Sequence, residues 1–255
     1  MNGPGLGNGE IAFELSPVLA AATPDKGKRS RFHYLVATGR PDGFKADGSL
    51  KEWAALRPVE LGIRPDQREL PGWRGRDDCY ARWYCAWDDR AFYFAAEVQD
   101  DLHQPARPHP GAGTIYRMWE ADSIQIAIDV AGDAQPSSNV PAYDGLNDVE
   151  FGLAIATNRQ SLLHFWVNPK GNTGRLLSKE LAVVRDEAAR KTRYEVAIPW
   201  SHLGLKRSPA GKWMGMNVLI NDNDGKGRRG WLEWSPGIGY TKDASHFPKV
   251  LFSRD

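Results

Sequence analysis

The chain has 255 residues, 41 % of them apolar and 25 % charged, which lies outside the low-hydrophobicity, high-charge range of disordered chains and supports a sizeable core. With 33 Lys and Arg against 32 Asp and Glu the net charge is +1, so the domain-wide attraction needed by nucleic acids or anionic membrane surfaces is absent. No run approaches the roughly 18 apolar residues of a membrane span, and the Gly/Asn-rich start has no charged segment followed by an apolar run, so no signal peptide is expected here. Segments of alternating, β-branched or aromatic residues closed by Gly, Pro, Asn or Asp recur along the whole chain. They predict strands at Ile11–Leu15, Phe32–Thr38, Val59–Ile63, Cys79–Trp87, Ala91–Val98, Ser123–Val130 and Val149–Ala156. Further strands are predicted at Leu162–Val167, Leu181–Arg185, Arg193–Pro199, Met214–Ile220, Gly230–Trp234 and Lys249–Phe252. Helical periodicity is confined to short pieces at Leu50–Leu56 and Trp200–Leu203.

This order predicts an all-β fold, an antiparallel β-sandwich of two packed sheets, in residues 41–255. Residues 1–40 differ in composition and read as an N-terminal extension that adds strands or belongs to a neighbouring module. Two Pro/Gly-rich loops, Leu102–Thr114 and Ala131–Asn147, are long enough to be functional or mobile. The only cysteines, Cys79 and Cys85, share one predicted strand. Six steps of about 3.3 Å set them roughly 20 Å apart, against the 7 Å or so that a disulfide spans. Both are expected to be reduced and buried on one face.

Period-2 geometry assigns the faces of three strands. In W-E-A-D-S-I-Q-I-A-I-D (119–129) the isoleucines 124, 126 and 128 take the core, which turns Gln125 to the other face and leaves Trp119 at the mouth of the strand. The same reasoning buries Val149, Phe151 and Leu153, with Glu150 and Gly152 outward. It also buries Leu163, Phe165 and Val167, with His164, Trp166 and Asn168 outward. If these strands share a sheet, its outer face carries Trp119, Gln125, Glu150, His164 and Trp166, an aromatic and polar surface suited to a sugar. The alternative is that Trp166 packs under an additional strand and Trp119 covers a loop.

The ordered series D-G-S-L-K-E-W (47–53), Y-A-R-W-Y-C-A-W-D-D-R-A-F-Y-F-A-A-E-V-Q-D-D (80–101), W-E-A-D-S-I-Q-I-A-I-D, Y-E-V-A-I-P-W (194–200), M-N-V-L-I-N-D-N-D-G (216–225) and W-L-E-W (231–234) resembles the carbohydrate-binding modules of family 9. The resemblance implies a β-sandwich of the DOMON-like kind, structural calcium, and a sugar clasped between two tryptophans. It also implies an extracellular or cell-envelope location and attachment to a carbohydrate-active protein. Carried over by position, the first clasping tryptophan is Trp119. The second falls in G-I-G-Y-T-K-D-A-S-H-F (237–247), where Tyr240 is the nearest aromatic, so the second wall is Tyr240 or Trp166. At three polar positions of the family this chain has Gln125 for Glu, Gly152 for Arg and Leu219 for Gln.

Calcium takes six to eight oxygens, so the acidic pair Asp100 and Asp101 at a strand end is a candidate ligand pair, and the resemblance places a ligand at Asp100. Asp222–Glu233 has partial EF-hand spacing, but Lys226 occupies a ligand position and N-D-N-D-G reads as a hairpin turn. Glycoside hydrolysis would need two facing carboxyls, for which Glu150, Asp122 and Glu97 offer no defined pairing. The His103/His109 pair lacks a clear third ligand. DOMON-like haem binding would draw on Met118, Met214, Met216 or His164. A sandwich serving only structure or protein contact remains the alternative to carbohydrate binding, and an exposed Trp clasp distinguishes the two.

Overall fold

The computed structural model describes residues 34–107, 117–135, 143, 146–169, 171, 173–175 and 179–254. The predicted strand Ile11–Leu15 and His109 lie outside the described residues. Within them, helix is limited to single 3-10 turns and all other regular structure is strand. In chain order the strands are β1 (Tyr34–Gly39), β2 (Val59–Leu61), β3 (Arg68–Glu69), β4 (Cys79–Trp87), β5 (Ala91–Asp100), β6 (Ser123–Asp129) and β7 (Asp148–Ile155). They continue with β8 (Ser161–Val167), β9 (Gly174–Arg175), β10 (Leu181–Asp186), β11 (Lys191–Pro199), β12 (Trp213–Asp222), β13 (Gly230–Glu233) and β14 (Lys249–Phe252). Among the described residues no helix is long and apolar enough to cross a membrane.

The strands form one hydrogen-bonded path, β10-β11-β5-β4-β1-β14-β12-β6-β7-β8-β9, with β2 added to β4 and β13 joining β12 to β3. Every pairing of neighbouring strands is antiparallel except at β1, which corrects the expectation of purely antiparallel sheets. Tyr34–Ala37 of β1 run parallel to Lys249–Phe252 of β14, and Thr38–Gly39 then run parallel to Ala86–Trp87 of β4. One strand thus hands one half of the path to the other. The far ends also approach, and the Val183 amide of β10 donates to Ser161 Oγ of β8 at 2.7 Å, so the sheet nearly closes into a barrel.

Alternation decides what fills the interior. Ile124, Ile126 and Ile128 of β6 meet Trp83 of β4, Phe94 of β5 and Val218 of β12 in one core that also takes Leu35 and Ala37 of β1. Cys79 and Cys85 are both reduced and buried, as expected for one face of β4. The opposite face of β4, β5 and β11 is covered by the segment D-G-S-L-K-E-W. Trp53 packs with Phe44 and Tyr93, and Glu195 accepts from Trp53 Nε1 at 3.1 Å and from the Gly48 and Asp47 amides at 2.7 and 3.1 Å. The outer faces of β6, β7 and β12 are covered as well. One cluster joins Met118, Ala154 and Leu162, and another joins Leu219, Trp231, Ile238 and Phe247. The face expected to meet solvent is therefore largely roofed by loops.

Candidate carbohydrate site

Trp119 does not continue the strand that follows it. It sits on the 3-10 turn Met118–Glu120, which ends at Ala121 just before β6 and is held by Ser123 Oγ donating to the Met118 carbonyl at 2.8 Å. Trp166 owes its position to an irregularity in β8. Opposite β7, Glu150 pairs with Val167 while the next residue, Phe151, pairs with Phe165, so Trp166 is the extra residue of a β-bulge. The bulge corrects the strict alternation expected here: Val167 leaves the core side and lines the same cavity as Trp166.

That cavity has a volume of about 400 Å³ and brings together Trp119, Gln125, Glu150 and Trp166. The two indoles meet edge to face, with centroids 5.6 Å apart and planes at 62°, and form an aromatic corner with no sugar-wide gap between them. Gly152 makes the corner possible, since a Cβ there would lie 2.3 Å from Cη2 of Trp166. Gln125 and Glu150 form the polar floor. Gln125 Nε2 donates to Glu150 Oε1 at 2.7 Å, and Asn221 Nδ2 donates to Gln125 Oε1 at 3.1 Å. Both side chains were expected on an open outer face, yet they are only 4 % and 2 % exposed. Tyr143, Ile238 and Lys242 enclose them, and Lys242 Nζ reaches Glu150 Oε1 at 2.5 Å. Tyr240 stands elsewhere. It is 76 % exposed, packs edge to face on Trp231 at 4.6 Å, and is not among the cavity-lining residues. His164 contacts Trp166 at 5.5 Å, and burial lowers its imidazole below the ordinary value.

The sequence profile of the family described as "Carbohydrate family 9 binding domain-like" matches residues 65–253. The chain belongs to this family. Among solved structures, a family 9 carbohydrate-binding module from Caldicellulosiruptor kristjanssonii in complex with cellotriose is similar at 15 % identity and a TM-score of 0.57, over 87 % of this chain and 94 % of that one. The same kind of module from that organism in complex with glucose is similar at 15 % identity and 0.57, over 87 % and 96 %. A structure from Bacteroides uniformis is similar at 13 % identity and 0.53, over 86 % and 98 %. These likenesses concern the fold. No protein of curated function matches the sequence.

In this family 9-like chain a second cluster lies where the end of β5 meets the start of β6. One ligand atom each from Asp100, His103 and Asp122 falls within 4.8 Å of the others. His103 Nδ1 is 3.6 Å from Asp100 Oδ2 and 3.7 Å from Asp122 Oδ2, and the ring nitrogens and Asp100 Oδ2 are buried without a hydrogen-bond partner. Burial and the neighbouring charge of Asp100 push the Asp122 carboxyl well above the ordinary range. Two carboxylates suit calcium. The imidazole nitrogen is a donor that zinc and similar ions accept more readily. Asp101, the other expected ligand, instead pairs with Arg74 at 2.8 Å.

The remaining readings from sequence disperse in space. Glu97 is clamped on the outer face of β5 and Asp122 belongs to the second cluster, so neither shares the cavity of Glu150. Met214 and Met216 pack in the central core, whereas Met118 lies in a separate cluster. Sequence reasoning missed Tyr143, Val167, Arg228, Ile238 and Lys242 as cavity residues, all but Val167 lying in loops whose placement alternation does not report. It also left His103 without partners, although the D-D-L-H spacing sets it three residues after Asp100.

Proposed function

We propose that the chain is a non-catalytic carbohydrate-binding module whose site is the Trp119–Trp166 corner over the Gln125–Glu150 floor. The observation that carries this reading is the convergence of two indoles and two hydrogen-bonding side chains on one cavity of about 400 Å³, within the size range of small-ligand sites. One face of a sugar ring would lie against Trp119, the adjoining ring edge would meet Trp166, and hydroxyls would exchange hydrogen bonds with Gln125, Glu150 and Lys242. Tyr240 stays in the proposal only as an outer contact for a longer chain. Family membership and the sugars named for the two similar modules support the ligand class.

The finer fold reading is a two-sheet sandwich of DOMON-like kind, with residues 1–40 as an extension whose last residues supply β1. Asp100, with Asp122 and His103, is proposed to hold a structural divalent cation, calcium being the ion the family resemblance implies. Asp101 would then act only through Arg74. An extracellular or envelope location, as part of a larger carbohydrate-active protein, fits this role. The test is calorimetry of Trp119→Ala against the wild type on cellotriose and on whichever oligosaccharide a glycan array returns. A loss of at least about tenfold in affinity is expected, since an aromatic contact contributes on the order of 1 kcal/mol beyond its buried area. Equal affinity with unchanged melting would move the site away from Trp119.

A further inference from the structure

The loop 223–229 between β12 and β13 carries two adjacent arginines in opposite circumstances. Arg229 is ion-paired on all sides: its guanidinium reaches Asp78 at 3.0 Å, Asp222 at 2.8 Å and Asp224 at 2.5 Å. Arg228 lies over the Trp231 ring, 4.1 Å from its centroid, and its Nε and Nη2 are buried with no hydrogen-bond partner. Buried guanidinium nitrogens left in this state are costly unless something else accepts from them. Burial accordingly lowers Arg228 to about 10, against the opposing charges of Glu233, Tyr240 and Glu150.

Its position indicates what that acceptor is. Arg228 and Trp119 line both the cavity of about 400 Å³ and an adjoining depression of about 710 Å³. Across the two, the described lining residues include four basic side chains, Arg107, Arg117, Arg228 and Lys242, against two acidic ones, Glu120 and Glu150. Each acid already has a cation, because Arg117 pairs with Glu120 and Lys242 with Glu150. Of these four, Arg107 and Arg228 have no ion pair with a described residue, on a chain whose net charge is only +1.

We propose that the saccharide taken by this groove is acidic, a uronate-containing chain whose carboxylate is received by Arg228 while its ring lies on Trp119. This deepens, and rests on, the carbohydrate-binding reading given above. A planar guanidinium whose unpartnered Nε and Nη2 share one edge matches a carboxylate, which accepts two parallel N–H bonds and carries the compensating charge. A sugar hydroxyl supplies the first weakly and the second not at all.

The experiment compares matched ligands by calorimetry on the full chain: cellotriose with β-1,4-triglucuronic acid, its C6-carboxylated counterpart, and trigalacturonic acid with its methyl ester. In at least one pair the acid should bind about tenfold or more tightly than its neutral partner at low salt, with the advantage shrinking in high salt. Arg228→Gln should lower the acid's affinity by more than the neutral partner's and so remove the preference, and Arg228→Lys should restore part of it. Neutral ligands binding as well as or better than the acids overturns the proposal and leaves the carbohydrate reading standing. A preference that survives in Arg228→Gln also overturns it. Binding of neither member of either pair, with no hit on a glycan array, overturns the carbohydrate reading itself and this inference with it.

Discussion

Gly152 shows how one missing side chain shapes the candidate site. It faces Gln125 on β6 and His164 on β8, and the space a Cβ would claim is held by the Trp166 indole at 2.3 Å and by the Ile124 carbonyl at 3.2 Å. Gly152→Ala should therefore displace Trp166 or strain β7, destabilising by about 1–3 kcal/mol as overpacking does. Urea unfolding measures that change, and calorimetry should show saccharide affinity falling with it. An alanine variant with wild-type stability and affinity would mean that Trp166 does not need that space. The indole from the neighbouring strand takes the volume that a side chain at this position would need.

At the scale of elements, the outer face of β4, β5 and β11 is knitted together by Glu97. It accepts from Arg82 at 2.8 Å, from Lys191 at 3.0 Å and from Arg193 at 3.0 Å. Burial alone would raise its carboxyl, but hydrogen bonds from Lys191, Arg82 and Arg193 outweigh it and hold the group at about 2, below the ordinary 4.5. A folded-state value below the unfolded one contributes stability that is present above about 4.5 and lost as the pH falls toward 2. Glu97→Gln should lower the urea midpoint at neutral pH and flatten its acid decline over that window. Parallel pH profiles for the two proteins would remove Glu97 from the acid sensitivity. The junction of β5 and β6 makes a second prediction. A cation bound there only in the folded state, at 100 times its dissociation constant, stabilises by about 2.7 kcal/mol, roughly 5–10 °C in melting for a chain of this size. Chelator should remove this increment from the wild type and leave Asp100→Asn unmoved. Restoration by calcium supports the oxygen-ligand reading, whereas restoration by zinc alone assigns the ion to the His103 nitrogen.

On the scale of the whole molecule, near-closure of the sheet keeps both cysteines inside. Cys79 and Cys85 are 1 % and 7 % exposed, and burial pushes the Cys85 thiol up to about 12. A thiol reagent should find no reactive group in the native protein and two after denaturation; fast reaction of the native protein would contradict the packing of β4. The sequence by itself determined the longer strands and most of their inward faces, because alternation is local and the core demands it. Cys79–Trp87 and Lys249–Phe252 begin and end where alternation and turn residues put them. It also pointed to Trp119, Gln125, Glu150 and Trp166, which do converge on one cavity. Only the tertiary structure decided the rest. The bulge at Trp166 arises from pairing with β7, and the parallel course of β1 from contacts with strands far away in the chain. Loops distant in sequence bring Lys242 and Arg228 to the cavity, and the burial of Gln125 and Glu150 follows from that roof. Period-2 patterning tells which way a side chain points, but not what the rest of the chain lays over it.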